Sequence, residues 1–452
     1  MKRLIYLFII LFHSWLYCYA ESGQRISVLD FGAIPDDGLD DSENIRKACE
    51  YCRDNKSTVL FFPPGLYNFR DSLALQIERE AISGVYGDNV QGRLFKPDAP
   101  YVKALDLFGA ENLVVEAEGA ILLLEGWYEV VSIDKAREVT IKGLSIVYRR
   151  PPNTVGKITK LNEGSFDMQI DPERYFYLDK DVTGRVHYVD AMRERLYTGG
   201  RVSGKELLSK DMIRIYTDFR PSTGDFCVLR HSGHYRPAIM IKESSDIYIE
   251  GVKIHSQPGM GVVGHLSENI TLENLQVIPE AGMIISTNTD ATHFTSCKGE
   301  IVIENCKFGG QGDDCTNIHN YYYTIVPQTK RSVEIKIQNA DLHALSLDYP
   351  DVGDTLLVVN RSNLMEKEHF IVEQVDTSTV DWRVSVTLNK DWLIGSPDLY
   401  YMTNITRRPS VRITNNTVKS HLARAFLIKC RNVVINKNVI QNSSGPAIQL
   451  GD

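Results

Sequence analysis

The sequence predicts an all-β protein, a right-handed parallel β-helix with an N-terminal capping helix and two inserted small β-barrel modules. Three observations support this fold. A short strand motif recurs seven times along the 452 residues, most of its copies lie about one coil apart, and two intervals are far longer. Equal intervals that each carry one such strand are typical of a stacked solenoid.

Each copy of the motif has apolar residues at alternate positions, followed by Asn or Gly. The alternation indicates a half-buried strand, and the Asn or Gly indicates a turn that needs a positive φ. The copies are "ENLVVEAEGAI" from Glu111, "REVTIKGLSI" from Arg137, "SDIYIEGVKI" from Ser245, "ENITLENLQV" from Glu268, "GEIVIENCKF" from Gly299, "PSVRITNNTV" from Pro409 and "RNVVINKNVI" from Arg431.

The intervals between these copies predict the architecture. Measured at the residue before the first apolar position, successive copies lie 26, 108, 23, 31, 110 and 22 residues apart. Four of these intervals have the length of one solenoid coil. The other two exceed a coil by about 80 residues, which is enough for a small domain.

Both long intervals are interpreted as small β-barrels. Residues 223–232, "TGDFCVLRHS", and residues 352–362, "VGDTLLVVNRS", each have a Gly-Asp turn before an apolar strand. Chance similarity between two hairpins is the alternative. The predicted segments are a signal peptide at 1–20, the N-terminal part of the β-helix with its cap at 21–146, a first inserted barrel at 147–233, the catalytic coils at 234–320, a second inserted barrel at 321–408 and the C-terminal coils at 409–452.

The two ends of the β-helix differ in their sequence. Residues 26–55 read as a strand, an acidic Gly/Pro turn and then a helix that begins near Asp41 or Ser42. An amphipathic helix at this position would cover the open end of the solenoid. At the other end the sequence stops at Asp452 directly after a strand. Because an uncovered coil exposes backbone donors and acceptors, we expect a capping element beyond this residue.

The first twenty residues predict export. Lys2 and Arg3 precede an apolar run at residues 4–12, and Cys18 and Ala20 are small residues at the spacing of a cleavage site before Glu21. The run is short for a membrane span, and no later segment is long and apolar enough to cross a bilayer. We therefore expect a periplasmic, secreted or cell-surface protein without a transmembrane segment after signal removal.

Composition excludes one class of partner and one class of scaffold. The formal net charge is -8 and no long run of lysine or arginine is present, so we predict no nucleic-acid partner. Seven cysteines follow the signal peptide, an odd number without the spacing of a disulfide framework. Cys49 and Cys52 are spaced like half of a zinc site, but no second pair completes it. They are interpreted as buried residues of a helix.

Two short segments carry the candidate catalytic residues. Residues 308–320, "FGGQGDDCTNIHN", place Asp313 and Asp314 side by side, and residues 286–294, "STNTDATHF", contain Asp290. Asp290 and Asp313 are 23 residues apart, which is one coil. Because strands of successive coils stack about 4.8 Å apart, we expect the three carboxylates to share one face.

The aspartate pair also needs a change of backbone direction. Consecutive residues of an ideal strand point to opposite faces, so a turn at Gly312 is expected to aim both aspartates into one cleft. His319 lies close enough in sequence to reach the same face. The other candidate substrate-binding residues are His293, Asn317 and Asn288.

Three carboxylates in one cleft are typical of glycoside hydrolysis. Crowding raises the pKa of one carboxyl enough for it to hold a proton at working pH, while another stays ionised and takes a proton from water. The alternative is structural, with Asp313 and Asp314 making turn hydrogen bonds or holding calcium. The second acidic segment one coil earlier favours catalysis, and we predict neither a cofactor nor a metal.

These segments resemble known enzyme families. "NTDA" at residues 288–291 and "GDDC" at residues 312–315 resemble the "NTDG" and "GDDC" motifs of the polygalacturonases, glycoside hydrolase family 28. Residues 290–319 are more similar to the core of glycoside hydrolase family 110, the exo-acting α-1,3-galactosidases. Members of that family are β-helices with two small barrel insertions, and the resemblance extends from about Ile26 to Asp452.

The sequence also departs from the polygalacturonase pattern. Those enzymes carry a Gly-His-Gly motif and an Arg-x-Lys motif that bind an anionic sugar. Neither motif is complete in this sequence. Residues 424–430, "RAFLIKC", contain a lysine at a different spacing. A pectin substrate is therefore less expected than a neutral one.

The family resemblance implies a specific reaction. It implies inverting hydrolysis that removes a terminal α-1,3-linked galactose from blood group B or linear α-galactosyl oligosaccharides and glycoconjugates. By the same analogy Asp313 is the acid, and Asp290 and Asp314 share the attacking water as base. Inversion usually places the acid and base carboxyls about 6.5–9.5 Å apart. The alternatives are an endo-acting, polygalacturonase-like pectin hydrolase and a carbohydrate-binding β-helix without catalysis.

Overall fold

The computed structural model describes residues 23–96, 98–337, 346–378 and 382–451. The predicted signal peptide at 1–20 lies outside the described residues. Within them, the strands before the first insertion are β1 Gln24–Ser27, β2 Thr58–Phe61, β3 Gly65–Phe69, β4 Lys103–Asp106, β5 Glu111–Glu116, β6 Ala120–Leu124, β7 Glu129–Asp134, β8 Arg137–Lys142 and β9 Ser145–Tyr148.

The first insertion and the coils that follow it are also built of strands. The insertion contains β10 Asn153–Asn162, β11 Ser165–Gln169, β12 Arg185–Val189, β13 Leu196–Tyr197, β14 Val202–Ser209, β15 Met212–Thr217 and β16 Phe226–Arg230. The central coils contain β17 Ile239–Lys242, β18 Ser245–Glu250, β19 Lys253–Ile254, β20 Val262–His265, β21 Glu268–Glu273, β22 Gln276–Val277, β23 Thr292–Thr295, β24 Lys298–Glu304, β25 Lys307–Gly309 and β26 Thr316–His319.

The second insertion and the last coils complete the chain. The insertion contains β27 Tyr323–Pro327, β28 Ser332–Ile337, β29 Thr355–Asn360, β30 Glu366–Asp376, β31 Arg383–Leu388 and β32 Tyr400–Asn404. The last coils contain β33 Ser410–Thr414, β34 Thr417–His421, β35 Phe426–Ile428, β36 Val433–Asn436, β37 Val439–Ser443 and β38 Ile448–Leu450.

Three parallel sheets form the walls of the β-helix, which confirms the predicted fold class. Sheet 1 has the order β1-β2-β5-β8-β18-β21-β24-β33-β36, sheet 2 the order β3-β6-β9-β19-β22-β25-β34-β37, and sheet 3 the order β4-β7-β17-β20-β23-β26-β35-β38. All seven copies of the sequence motif lie on sheet 1. Their alternate apolar residues point into the core, where Val139, Ile249, Leu272 and Ile303 are fully buried.

The turns after five sheet 1 strands, β8, β18, β21, β24 and β33, have the left-handed backbone that the motif predicts. The φ angles are 73° at Gly143, 64° at Gly251, 54° at Asn274, 57° at Asn305 and 57° at Asn415. Gly and Asn adopt this conformation at the lowest steric cost. The same short signal therefore repeats the same corner in successive coils.

The predicted helical cap is α1, Ser42–Asp54. Its buried face is formed by Ile45, Ala48, Cys49 and Cys52, and both thiols are free, as the interpretation of these cysteines as core residues requires. Two further helices were not predicted, α2 Ser72–Ile82 and α3 Gln91–Leu94. Among the described residues, no helix has the length and apolar character needed to cross a membrane.

The two insertions leave the β-helix at different corners and differ in closure. The first follows sheet 2, and its seven antiparallel strands have the order β13-β12-β16-β10-β11-β15-β14. Its two edge strands do not pair with each other, so its ladder is open rather than the closed barrel that was expected. The second follows sheet 3 and is a closed barrel, β27-β28-β31-β30-β29-β32, as predicted.

Candidate active site

The outer face of sheet 3 forms the floor of the site. In parallel strands that pair in register, residues at equivalent positions stack into rows, and alternate residues point away from the core. Phe294 and Ile318 point inward and are buried. Two outward rows run across β17, β20, β23 and β26, namely Met240–Val263–His293–Asn317 and Lys242–His265–Thr295–His319.

A cavity of about 320 Å³ lies over this floor. Phe95 and His234 form part of its wall, with ring centroids 5.3 Å apart, and Tyr321 contributes from the start of the second insertion. A largely apolar cavity with a few polar groups that converge on one place is the usual form of a small-molecule site. Here the convergent polar groups are acidic, Asp290, Asp313 and Asp314.

The three predicted aspartates come together as expected, with one difference in register. Carboxylate oxygens of all three lie within 4.8 Å of one another. Thr292 pairs with Thr316, so a coil is 24 residues long here and Asp290 is level with Asp314 rather than Asp313. The prediction of a 23-residue coil was therefore off by one residue, although Asp313 still reaches the cluster.

Glycines beside the pair allow the backbone to pack closely. The chain bends at Gly312 and Asp313, where the turn was expected, and a positive φ lies two residues earlier, at Gly310, at 74°. Gly312 is needed for a different reason. A Cβ atom there would lie 2.5 Å from the carbonyl oxygen of Asn288 and 2.6 Å from Nη1 of Arg230, so no larger residue fits without a shift.

Asp314 is held by an arginine from the next coil. Nε of Arg424 donates to Oδ1 at 2.7 Å, Nη2 donates to Oδ2 at 2.6 Å, and the Arg424 amide donates to Oδ1 at 2.8 Å. This bidentate contact fixes the orientation of a carboxylate that is only 1% exposed. Sequence reasoning missed Arg424. The signal was present, because Arg424 lies 110 residues after Asp314, the interval that separates the two motif copies around the second insertion.

Asp313 differs from its neighbour because no hydrogen bond to its carboxyl is present among the described residues. Burial raises its pKa to about 6, and the nearby charges of Asp290 and Asp314 act in the same direction. Arg230 and Arg424 oppose this shift. A carboxyl with this pKa and no internal partner can carry a proton in weak acid and donate it to a ligand.

Asp290 begins a chain of hydrogen bonds. Its Oδ2 lies 2.7 Å from Nδ1 of His293, Nε2 of His293 lies 3.1 Å from Nε2 of His319, and Nδ1 of His319 lies 3.1 Å from the carbonyl oxygen of Asn320. The carbonyl can only accept, so Nδ1 of His319 carries a hydrogen. Satisfying all three contacts then requires one proton more than a carboxylate and two neutral imidazoles hold.

The pKa values indicate where that extra proton resides. Burial and the charge of Asp314 raise the pKa of Asp290 well above its usual value. Burial lowers the pKa of His293 to about 4 and that of His319 to about 3. The proton therefore belongs on Oδ2 of Asp290, which donates it to His293.

One predicted substrate-binding residue lies outside the cavity. Asn288 is fully buried, accepts a hydrogen bond from Asn153 and donates one to the carbonyl oxygen of Pro152. It fastens the first insertion to the β-helix and cannot reach a sugar, so that prediction was wrong. The other three candidates, His293, Asn317 and His319, do line the cavity.

The first insertion also supports the floor of the site through Arg230. This buried side chain donates to the carbonyl oxygen of Gly312 at 2.6 Å and to that of Asn288, directly beneath the aspartates. Sequence reasoning did not single it out, because nothing in the strand β16 distinguishes it from a surface arginine. Three carboxyls so close together could also hold a cation, but Arg424 and Arg230 already supply positive charge beside them.

Comparisons with known proteins match the part of the chain that builds this site. The family model "Glycosyl hydrolases family 28" matches residues 225–341, which include all three aspartates. Alpha-1,3-galactosidase B of Bacteroides thetaiotaomicron is 26% identical, covering 94% of this chain and 72% of its own length. Alpha-1,3-galactosidase A of Shewanella woodyi is 24% identical, covering 95% and 72%. A solved family 28 exopolygalacturonase of Yersinia enterocolitica has a TM-score of 0.37 at 10% identity, covering 95% of this chain and 55% of that chain.

Proposed function

We propose that this chain, a β-helix glycoside hydrolase related to the α-1,3-galactosidases and more distantly to family 28, removes a terminal α-1,3-linked galactose from glycans. The near full-length similarity to enzymes named alpha-1,3-galactosidase supports the sugar and the linkage. The observation that carries the proposal is the cluster of three carboxyls in one cavity, one of which has a pKa raised to about 6.

The charge of the cavity supports a neutral sugar rather than pectin. A galacturonate carboxylate would need a cation to bind it. Among the described residues that line the cavity, Arg424 is the only arginine or lysine, and its Nε and Nη2 already donate to Asp314, whose charge it balances. A hydroxyl-rich neutral sugar needs no such charge.

Asp313 is assigned as the general acid. It has no internal hydrogen bond among the described residues, and below a pH of about 6 it holds the proton that the departing glycosidic oxygen needs. Activity should therefore fall as pH rises through this value, because the protonated form is the active one.

Asp290 and Asp314 are assigned to the attacking water. Arg424 orients Asp314 so that its carboxylate oxygens face a fixed direction. Asp290 can accept the proton of the water on Oδ1 when its Oδ2 proton passes to His293, and His319 accepts the hydrogen bond from the resulting imidazolium. In this scheme the two histidines act on the base rather than on the sugar.

The stereochemical outcome is proposed to be inversion, as the family resemblance implies. A retaining galactosidase, in which the two carboxyl groups stand about 5–5.5 Å apart, is the second candidate, because oxygens of all three carboxyls lie within 4.8 Å of one another.

A proton NMR time course on Galα1-3Gal tests both points, with polygalacturonate and a branched blood group B oligosaccharide in parallel tubes. We expect β-galactose to appear first from the α-galactosides. Initial α-galactose would establish retention. Fragments from polygalacturonate without any galactose would replace the proposal with a pectin hydrolase, and silence in all tubes with wild-type folding would favour a binding protein.

The scheme predicts a specific defect for His293→Asn. Asn can still hydrogen-bond Asp290 but cannot take its proton, so kcat should fall about 100-fold or more while KM changes little. The alkaline limb of the pH profile should stay near 6, since it reports Asp313. His369→Asn, an exposed position on the second barrel, controls for the substitution itself. A rise in KM with an unchanged kcat would return His293 to the role of a sugar ligand.

A further inference from the structure

A second cavity adjoins the candidate active site on the same face of the β-helix. Its volume is about 270 Å³, and it shares Met240 and Ser346 with the catalytic cavity. Apart from Ser346, the polar residues that line it come from β7, β17 and the segments next to them. They are Tyr101, Glu129, Ser132, Asp134, Arg236 and Lys242.

Two buried charges in this second cavity are incompletely satisfied. Glu129 is 2% exposed and Arg236 is 5% exposed, and their nearest nitrogen and oxygen lie 3.8 Å apart, beyond hydrogen-bond distance. Oε2 of Glu129 and Nε of Arg236 make no hydrogen bond to the described residues. Buried polar atoms without partners are rare because each costs about 1–3 kcal/mol. This acceptor and donor therefore indicate a ligand that supplies both kinds of group.

Arg236 is fixed in place, as expected for a residue of a preformed site. Its guanidinium carbon lies 3.7 Å from the ring centroid of Tyr101, and Nη2 donates to the carbonyl oxygen of Lys96 at 3.1 Å. Little side-chain entropy remains to be lost when a ligand binds such a residue.

The balance of charge indicates a neutral ligand. Glu129 and Asp134 oppose Arg236 and Lys242, so the lining carries two acidic and two basic side chains. An anion or a cation would gain no net attraction from this set. Closely spaced donors and acceptors of both signs instead match the hydroxyls of a sugar, each of which can donate and accept.

The position of the second cavity relates it to the reaction. Ser132 and Asp134 of β7 pair in register with Met240 and Lys242 of β17 and so continue the two outward rows that form the floor of the active site. Three strand spacings separate β7 from β23, a distance of about 14 Å. An oligosaccharide, but not a monosaccharide, can extend over this distance.

We propose that this second cavity binds the leaving-group saccharide at a sugar beyond the one attached to the scissile galactose. The inference rests on the proposed galactosidase activity and adds a specificity site to it. Glu129 accepts and Arg236 donates hydrogen bonds to hydroxyls of that sugar, and Met240 lies between the two cavities.

The test is the ratio of two kcat/KM values, one for the trisaccharide Galα1-3Galβ1-4Glc and one for an aryl α-galactoside that lacks a leaving sugar. The variant Glu129→Leu/Arg236→Met removes both charges at nearly constant volume, an exchange that is usually tolerated in a buried pair. We expect this ratio to fall about 10- to 100-fold in the variant. Thermal melts of both proteins accompany the kinetics.

The outcomes separate the possible failures. A ratio that stays the same, or an equal fall for both substrates, would overturn the proposal and leave solvent as the occupant of the second cavity. If the double variant does not fold, Glu129→Gln keeps the volume and should lower the ratio in the same direction by a smaller factor. Failure of the proposed function is a different result, in which the wild-type enzyme releases galactose from neither substrate.

Discussion

Asp313→Asn should lower kcat/KM for Galα1-3Gal about 100- to 10,000-fold, the usual contribution of a general acid. Asn has nearly the same shape but no proton to give to the glycosidic oxygen. An aryl galactoside with a good leaving group needs less protonation, so its kcat/KM should fall by a smaller factor. Comparing the two substrates therefore reports the step that Asp313 serves.

The same variant should be more stable than the wild type at pH 7. Burial and two neighbouring carboxylates raise the pKa of Asp313 from 3.8 to about 6, which means that its ionised form destabilises the folded state. The free energy of unfolding of the wild type is therefore highest below pH 4, where the carboxyl is protonated. It falls by about 3 kcal/mol as pH rises through 6. Asn cannot ionise, so the difference in melting temperature between variant and wild type should grow over this pH range.

Glu163→Gln, which neutralises an exposed carboxyl in a hairpin of the first insertion, controls for a change of net charge. Two results would contradict the role of Asp313. Substantial residual activity on Galα1-3Gal would remove it as the acid. A lower melting temperature at every pH would show instead that its carboxyl stabilises the turn.

Arg424→Met should be the most destabilising single change at the site. It leaves the buried carboxylate of Asp314 with one backbone hydrogen bond in place of the bidentate ion pair. Removing one partner of a buried pair typically costs about 3–5 kcal/mol. We also expect loss of turnover, since Asp314 would no longer be held beside the attacking water.

A double variant distinguishes the two consequences. Asp314→Asn/Arg424→Met removes both charges, so urea denaturation should show that most of the stability returns while activity does not. Arg412→Met is a matched control from the same coil, because Arg412 is 41% exposed and forms a surface pair with Glu304. Surface pairs contribute about 0–1 kcal/mol. If Arg424→Met behaves like this control, Asp314 does not depend on the arginine.

Part of the site was already predictable from short-range patterns. Each coil repeats the same alternation and the same Asn or Gly corner, and such local signals do not depend on distant parts of the chain. Counting residues along this repeat therefore placed Asp290 beside Asp313 and Asp314 to within one residue. The cap α1 and the two insertions were predicted for the same reason.

The environment of Asn288 was not predictable from local patterns. Asn288 stands two residues before Asp290 in the same segment, so nothing local distinguishes a sugar ligand from a structural amide. The first insertion decides the matter, since Asn153 and Pro152 cover Asn288. The open ladder of that insertion, in place of a barrel, was equally beyond local patterns because closure depends on which edge strands meet.

The sequence by itself determined the coil, its corners and the presence of three carboxylates on one face. Only the tertiary structure decided which partners surround each carboxylate. Arg424 reaches Asp314, Arg230 supports the turn at Gly312, and Asp290 contacts His293, which in turn contacts His319. Arg230 belongs to the first insertion and lies 82 residues before Gly312, whereas Arg424 lies 110 residues after Asp314, beyond the second insertion. The pKa of a buried carboxyl depends on which charges and hydrogen-bond donors the fold brings within a few ångströms. A local sequence pattern does not predict them, because they come from distant parts of the chain.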